Sequence, residues 1–294
     1  MFQKRRAEMP ARPRLVTPLF FLITCSTFAY FVSVGSLIPI LPRYATGPLA
    51  GGDASVGVII GAFAVAAVVL RPFVGRISDR RGRRILMVGG AGIVAASTAG
   101  YVFADSLAEL VALRALTGAG EAGFYVGAAT VINDIAPDER RGEALSFFSL
   151  ALFAGLAVGP VIGETVLGEQ SFAAVWLVSA ASAALAAVFG LWVTDTRPEI
   201  EPSNKGIPLI HPAGLLPGAA LGTIICGLAG FDSFVPLYAL DLGLGGSRLV
   251  FVVFSAVVLL IRSFGARLPD LLGRQRMASA GLTCTALGLT LIGV

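Results

Sequence analysis

Apolar residues come in nine long runs, at 16–41, 56–74, 85–104, 107–132, 144–167, 172–194, 214–238, 249–265 and 277–294, separated by short polar stretches. A hydrocarbon core of ~30 Å takes about 20 helical residues, and every run is of that order. None alternates apolar and polar positions with period two, so the runs predict membrane-crossing helices and not barrel strands. The polar stretches are uneven. Between Ala54 and Leu70 there is no charge at all, and then GRISDRRGRR, residues 75–84, places five arginines and an aspartate together.

Composition agrees with a chain folded for lipid: 56% of the 294 residues are hydrophobic and 14% charged, against roughly 45–50% and 25% in soluble domains. The first run follows Lys4, Arg5, Arg6, Arg12 and Arg14. It exceeds a signal-peptide core in length and eight similar runs follow it, so it reads as a retained first span. If the N-terminus and the even-numbered connections are cytoplasmic, seventeen of the 22 lysines and arginines lie inside, and only Arg43 and Arg248 lie outside. This bias predicts a cytoplasmic N-terminus in a multi-pass membrane protein. It also accounts for the net charge of +4 without a nucleic-acid partner. Cys25, Cys226 and Cys284 all fall inside spans, and their odd number and spacing favour small apolar fillers over a disulfide or metal site.

Residues 195–213 are rich in proline and charge and read as a cytoplasmic linker, with His211 a solvated residue within it. They divide the chain into a six-helix unit, 1–194, and a second unit, 214–294. The units are related. RPFVGRISDRRGRR (71–84) and RSFGARLPDLLGRQ (262–275) match at six of fourteen positions: Arg71/Arg262, Phe73/Phe264, Arg76/Arg267, Asp79/Asp270, Gly82/Gly273 and Arg83/Arg274. LPRY at 41–44 and VPLY at 235–238 continue the correspondence upstream. The chain therefore reads as an internal duplication of a membrane unit.

In GRISDRRGRR, positive-inside topology explains the arginines but not Gly75, Asp79 and Gly82. Gly75 is expected to permit close helix approach and Gly82 a turn with positive φ. Asp79 is expected to pair with an arginine or a neighbouring helix end as a breakable latch. Gly75, Asp79, Arg80, Gly82 and Arg84 resemble the loop 2–3 signature of the major facilitator superfamily, with Arg83 beside them and the weaker echo Asp270, Gly273 and Arg274 in the second unit. Arg114, Gly118 and Gly120 in RALTGAG resemble that family's span-four motif, implicated in proton coupling. Gly155, Gly159, Pro160 and Gly163 resemble its antiporter motif in span five, with Ser146 in place of the motif's first glycine and Glu164 in place of its last. Independently of the family, Gly155, Gly159 and Gly163 make one smooth helix face at i, i+4, i+8, at which Pro160 removes a backbone donor.

Charges inside the spans are costly and mark functional candidates. Arg114 and Glu121 lie seven apart on one face of span four, and Tyr125 continues that face; the expectation is that Arg114 holds Glu121 ionised until a proton or cationic substrate arrives. Asp232 in span seven is a second candidate for a cation or proton, if it faces a cavity. Arg71 and Arg262 sit at equivalent span ends, where snorkelling predicts a structural role. Asp138 to Arg141, in the connection between spans four and five, resembles a second gate element or a solvated loop. No GxxxxGK(S/T), nucleophile elbow or catalytic carboxylate pair occurs, so an enzyme, ATP hydrolysis and a cofactor are not expected.

The resemblance implies an all-α helical bundle of the plasma (inner) membrane that moves a small molecule across the bilayer by alternating access, coupled to protons in drug-type antiport. A proton symporter or uniporter for a sugar or metabolite is the alternative within transport, and a non-transporting fragment or membrane scaffold the alternative outside it. Six plus three spans, where the family has six plus six, lead to the expectation of a tightly packed first unit, loosely held spans seven to nine, and no gradient-driven transport by these residues alone.

Overall fold

The computed structural model describes residues 15–168, 171–196, 215–264 and 273–292. Asp270, His211 and most of the linker lie outside them, as do the side chains of Arg262 and Arg274. Among the described residues the chain is helical throughout and has no strand: α1 (Pro18–Leu37), α2 (Ile40–Thr46), α3 (Asp53–Arg81), α4 (Arg83–Gly100), α5 (Leu107–Ile135), α6 (Arg141–Leu167), α7 (Phe172–Leu191), α8 (Leu215–Asp241), α9 (Arg248–Phe264) and α10 (Arg274–Ile292). Six segments are long and apolar enough to cross a membrane: Pro18–Thr46, Asp53–Arg81, Arg83–Phe103, Asp138–Leu167, Phe172–Leu191 and Gly222–Asp241. Arg248–Ile261 is apolar but shorter. Leu107–Ile135 is 29 residues long and carries charges along its length.

Local sequence sets the ends. Thr17 caps α1 by accepting from the Phe20 N–H at 3.2 Å, with Pro18 in the first turn. The run 16–41 is broken by Pro39, which separates α1 from the short α2. Ser106 and Glu109 form a reciprocal capping box at the start of α5. One boundary differs from the sequence expectation. The helix predicted over 56–74 runs on to Arg81, so most of GRISDRRGRR is helix and only Gly82, at φ +97°, turns the chain. Arginine is a good helix former, so charge alone does not end a helix, whereas the left-handed glycine does.

Within the first unit, α5 packs on α3 and α4, and α1 packs on α6 and α7. Tyr30, Met87, Val94, Phe124, Val131 and Ile132 form a fully buried core. A second cluster, with Trp176, Tyr101, Ile40 and Leu110, closes the end opposite the arginine-rich turn. Two polar contacts tie α1 to α7: Ser26 donates to the Ala186 carbonyl at 2.8 Å, and the Ser33 and Ser179 hydroxyls lie 3.0 Å apart. Valines 58, 65, 68 and 69 of α3 point outward, which in a bilayer is contact with lipid. The second unit meets the first chiefly through α9 against α6, with α8 touching α2 and α3.

Candidate functional site

Glycines set the position of α5. A side chain at Gly118 would begin 2.2 Å from the Phe63 carbonyl of α3, and one at Gly120 2.7 Å from the Gly90 carbonyl of α4. Only glycine permits these approaches, so α5 is wedged between α3 and α4 with its ionisable residues buried in the seam. Glu121 is 6% exposed and Arg114 7%.

The partner of Glu121 differs from the one expected. Arg71 of α3 donates through Nη2 to both Glu121 oxygens, at 3.0 and 3.2 Å, and its guanidinium lies 5.0 Å from the centre of the Tyr125 ring. Arg71 therefore does not snorkel away as an isolated structural charge; it joins Glu121 and Tyr125, one turn apart on α5. Arg114 turns instead to α3. Its Nε donates to the Ile59 carbonyl at 3.4 Å and its guanidinium sits 4.5 Å over the Phe63 ring. Arg114 and Gly118 of the span-four motif thus address the same residue, Phe63, the one through its ring and the other through its carbonyl. Seven residues on an α-helix span about 10 Å, too far for the pairing of Arg114 with Glu121 that shared helix face suggested.

Asp232 lies on α8 at a cavity of about 40 Å³ between the units, lined among others by Ile38 just after α1, Leu156 of α6, and Phe251 and Ser255 of α9. No described residue forms an ion pair with it. Among the described residues no group of three or more His, Cys, Asp or Glu is placed to hold a metal.

At the arginine-rich turn, Gly82 is required both by its φ of +97° and by Asp195, whose carboxylate occupies the space a side chain would take. Three further contacts converge there. The Arg83 N–H donates to Asp195 Oδ1 at 3.0 Å, the buried Arg83 side chain pairs with Asp134 at 2.6 Å, and Arg84 donates to the Leu191 carbonyl. Asp134 also accepts from the Thr196 hydroxyl at 2.7 Å. The turn is thereby tied to the ends of α5 and α7. Among the described residues Asp79 finds no partner for the expected latch: it is exposed and forms no ion pair with any of them, as is also true of Arg80. Gly75 has open space where its side chain would be, so it is not a point of close helix approach. Gly273 mirrors Gly82, with φ +87° immediately before α10.

Gly155, Gly159 and Gly163 face α1 of their own unit, meeting the backbone at Phe28, Gly35 and Ser36. Pro160 is buried within α6. Sequence reasoning missed Asp134 and Asp195, whose signal is an acid at a span end on the side otherwise rich in arginine. It also missed Arg71 as the partner of Glu121, although the repeat had marked that position.

A family model described as the Major Facilitator Superfamily matches residues 23–294. The chain is 28% identical over 284 residues to a Multi-drug resistance efflux pump PmrA homolog of Lactococcus lactis, covering 90% of this chain and 69% of that protein. It is 30% identical over 186 residues to Multidrug resistance protein 1 of Bacillus subtilis, covering 63% of this chain and 47% of that protein. Among solved structures, the human organic anion transporter MFSD10 (TETRAN) aligns with a TM-score of 0.67 at 18% identity, over 86% of this chain and 73% of that one. A bacterial homolog to the human lysosomal transporter Spinster aligns with a TM-score of 0.68 at 17% identity, over 87% and 62%. At these identities the two structures speak to the fold.

Proposed function

The chain belongs to the Major Facilitator Superfamily, and from that premise we propose that it works in a proton-coupled exporter of small lipophilic molecules, with its N-terminus on the cytoplasmic side of the plasma membrane. The observation that carries this reading is the Arg71–Glu121 pair, held inside the first unit beside Tyr125. A carboxylate in the middle of a spanning helix is expensive unless paired, and this pair joins two different helices. When a proton neutralises Glu121, Arg71 loses its counter-charge. Its side chain is 43% exposed, so it has room to leave, and the contact between α3 and α5 loosens. Arg114 is held on α3 by a carbonyl and a ring and does not depend on Glu121 for a partner.

The same charges divide the work between the units. Arg71, Arg114 and Glu121 together carry one net positive charge, which disfavours a cation in the first unit. Asp232, with no described cationic partner and lining the cavity between units, is where a cationic substrate would find its counter-charge. The two named relatives are multidrug proteins, which agrees with lipophilic substrates of this kind.

The test is Glu121→Gln in the full-length protein in proteoliposomes, assayed with a lipophilic cationic dye. Because the amide mimics the protonated acid, gradient-driven transport is expected to fall to background while counterflow exchange persists. Uphill transport at the parental rate would remove Glu121 from the coupling mechanism.

A further inference from the structure

Glu164 stands where the antiporter motif that this chain resembles has a glycine, and the structure gives it an occupation of its own. It lies in the last turn of α6, opposite the arginine-rich end, and reaches across to the start of α9 in the other unit. Its Oε1 accepts from the Ser247 N–H at 2.8 Å and from the Ser247 hydroxyl, and its Oε2 accepts from the Arg248 N–H at 2.8 Å. The first N–H groups of a helix have no partner within it, and a negative charge is favoured beside them. A serine just before a helix ordinarily turns its hydroxyl back onto that helix; Ser247 turns its hydroxyl to Glu164 instead, and is completely buried there. Gly246, at φ +153°, brings the backbone up to the carboxylate.

We propose that the Glu164 carboxylate is a gate clamp that caps α9 from the opposite unit and so holds the two units together at the membrane face away from the arginine-rich turn. Three charge-assisted bonds end on a single side chain. Two turns earlier on α6, the Ala157 carbonyl takes a longer bond of 3.4 Å from the Ser255 hydroxyl of α9, so the seam is strongest at its outer end. The glycine face of α6 is occupied by α1, which anchors α6 in its own unit. For a site between the units to open toward that face, α6 and α9 must part at Glu164. This gating role rests on the alternating-access reading; the clamp itself does not.

The experiment measures the accessibility of the seam. In the full-length protein with Cys25, Cys226 and Cys284 replaced by serine, Ser255→Cys is labelled with a membrane-impermeant maleimide applied to each face separately. Adding Glu164→Ala, which removes all three bonds, is expected to raise labelling from the face opposite the arginine-rich turn at least about tenfold, since loss of even one charged hydrogen bond shifts the populations by that much. Ser247→Ala removes only the hydroxyl donor and is expected to give a smaller rise from the same face, and combining it with Glu164→Ala should add nothing further. Labelling at the parental rate in Glu164→Ala, or an equal rise from both faces, overturns the proposal. If Glu164→Ala does not reach the membrane, Glu164→Gln and Ser247→Ala decide by the same criterion. The readout is independent of proton coupling at Glu121, so either proposal can fail without the other.

Discussion

The two units carry the same signature in sequence and use it in different surroundings. In the first, Tyr30, Met87, Phe124 and Trp176 are at most 1% exposed, and each helix buries a face against two or more neighbours of its own unit. In the second, the buried described residues lie on α8 and α9, as Ser233, Val235, Phe251 and Ser255 do, or immediately before α9, as Ser247 does, and no described residue of α10 is buried. What the copies share is local: a glycine with positive φ, Gly82 or Gly273, immediately before a helix that starts on arginine. A repeated motif thus preserves the backbone turn, while burial depends on what the turn is packed against.

Equivalent glycines give the sharpest way to break that comparison. Gly90 and Gly281 stand 191 residues apart, the offset of the repeat. A side chain at Gly90 would begin 2.3 Å from the Phe124 N–H nitrogen, whereas Gly281 has open space. Gly90→Ala is expected to cost about 3 kcal/mol by forcing α4 off α5, seen as a large loss of folded protein in detergent on size exclusion. Gly281→Ala should be neutral or stabilising by up to about 1 kcal/mol; equal losses at both sites would erase the distinction.

A smaller effect is expected at the turn itself. Asp134→Asn leaves Arg83, whose side chain is 6% exposed, without its counter-charge, and a loss of about 2 kcal/mol follows, discounted because Asp134 is partly solvated. Thermal unfolding in detergent checks it, and an unchanged midpoint would mean that the turn is held by the Asp195 and Arg84 contacts alone. The mildest test concerns the seam between units. Ser255→Ala gives up one long hydrogen bond and should shift stability by only about 0.5 kcal/mol; a loss several times larger would show that the second unit depends on this contact more than its geometry implies.

The sequence made the helices legible because lipid imposes a length and an apolarity on each. It also made the repeat legible, through Arg71/Arg262 and Gly82/Gly273. The partners were harder. Glu121 and Arg114 share a helix face, and face-sharing suggested a pair, but a guanidinium on a helix crossing at close range reaches the carboxylate where one two turns away does not. Such a crossing is set by Gly118 and Gly120, whose partners no spacing rule identifies. Asp79 was prominent because it sits in a motif; Asp134 and Asp195 were not, because they come from distant segments that meet only when α5 and α7 end at the same level. Glu164 was visible as a departure from a motif, yet its target is the start of a helix in the other unit.

One detail of α3 has a mechanical side. The helix is 29 residues long, about 43 Å at 1.5 Å per residue, so it crosses the hydrocarbon and carries its last turns clear of it. Pro72 lies within it, one residue beyond Arg71. A proline removes one rung of the helical ladder and lowers the stiffness there. That makes residue 72 an elbow, with Arg71 on the near side pinned to Glu121 and a forearm of about 14 Å ending at Arg81 on the far side. While the pin holds, the elbow is splinted. Whatever frees Arg71 frees the elbow too, and a bend of a few degrees beside the Arg71–Glu121 pair becomes a sideways displacement of about an ångström at the arginine-bearing tip.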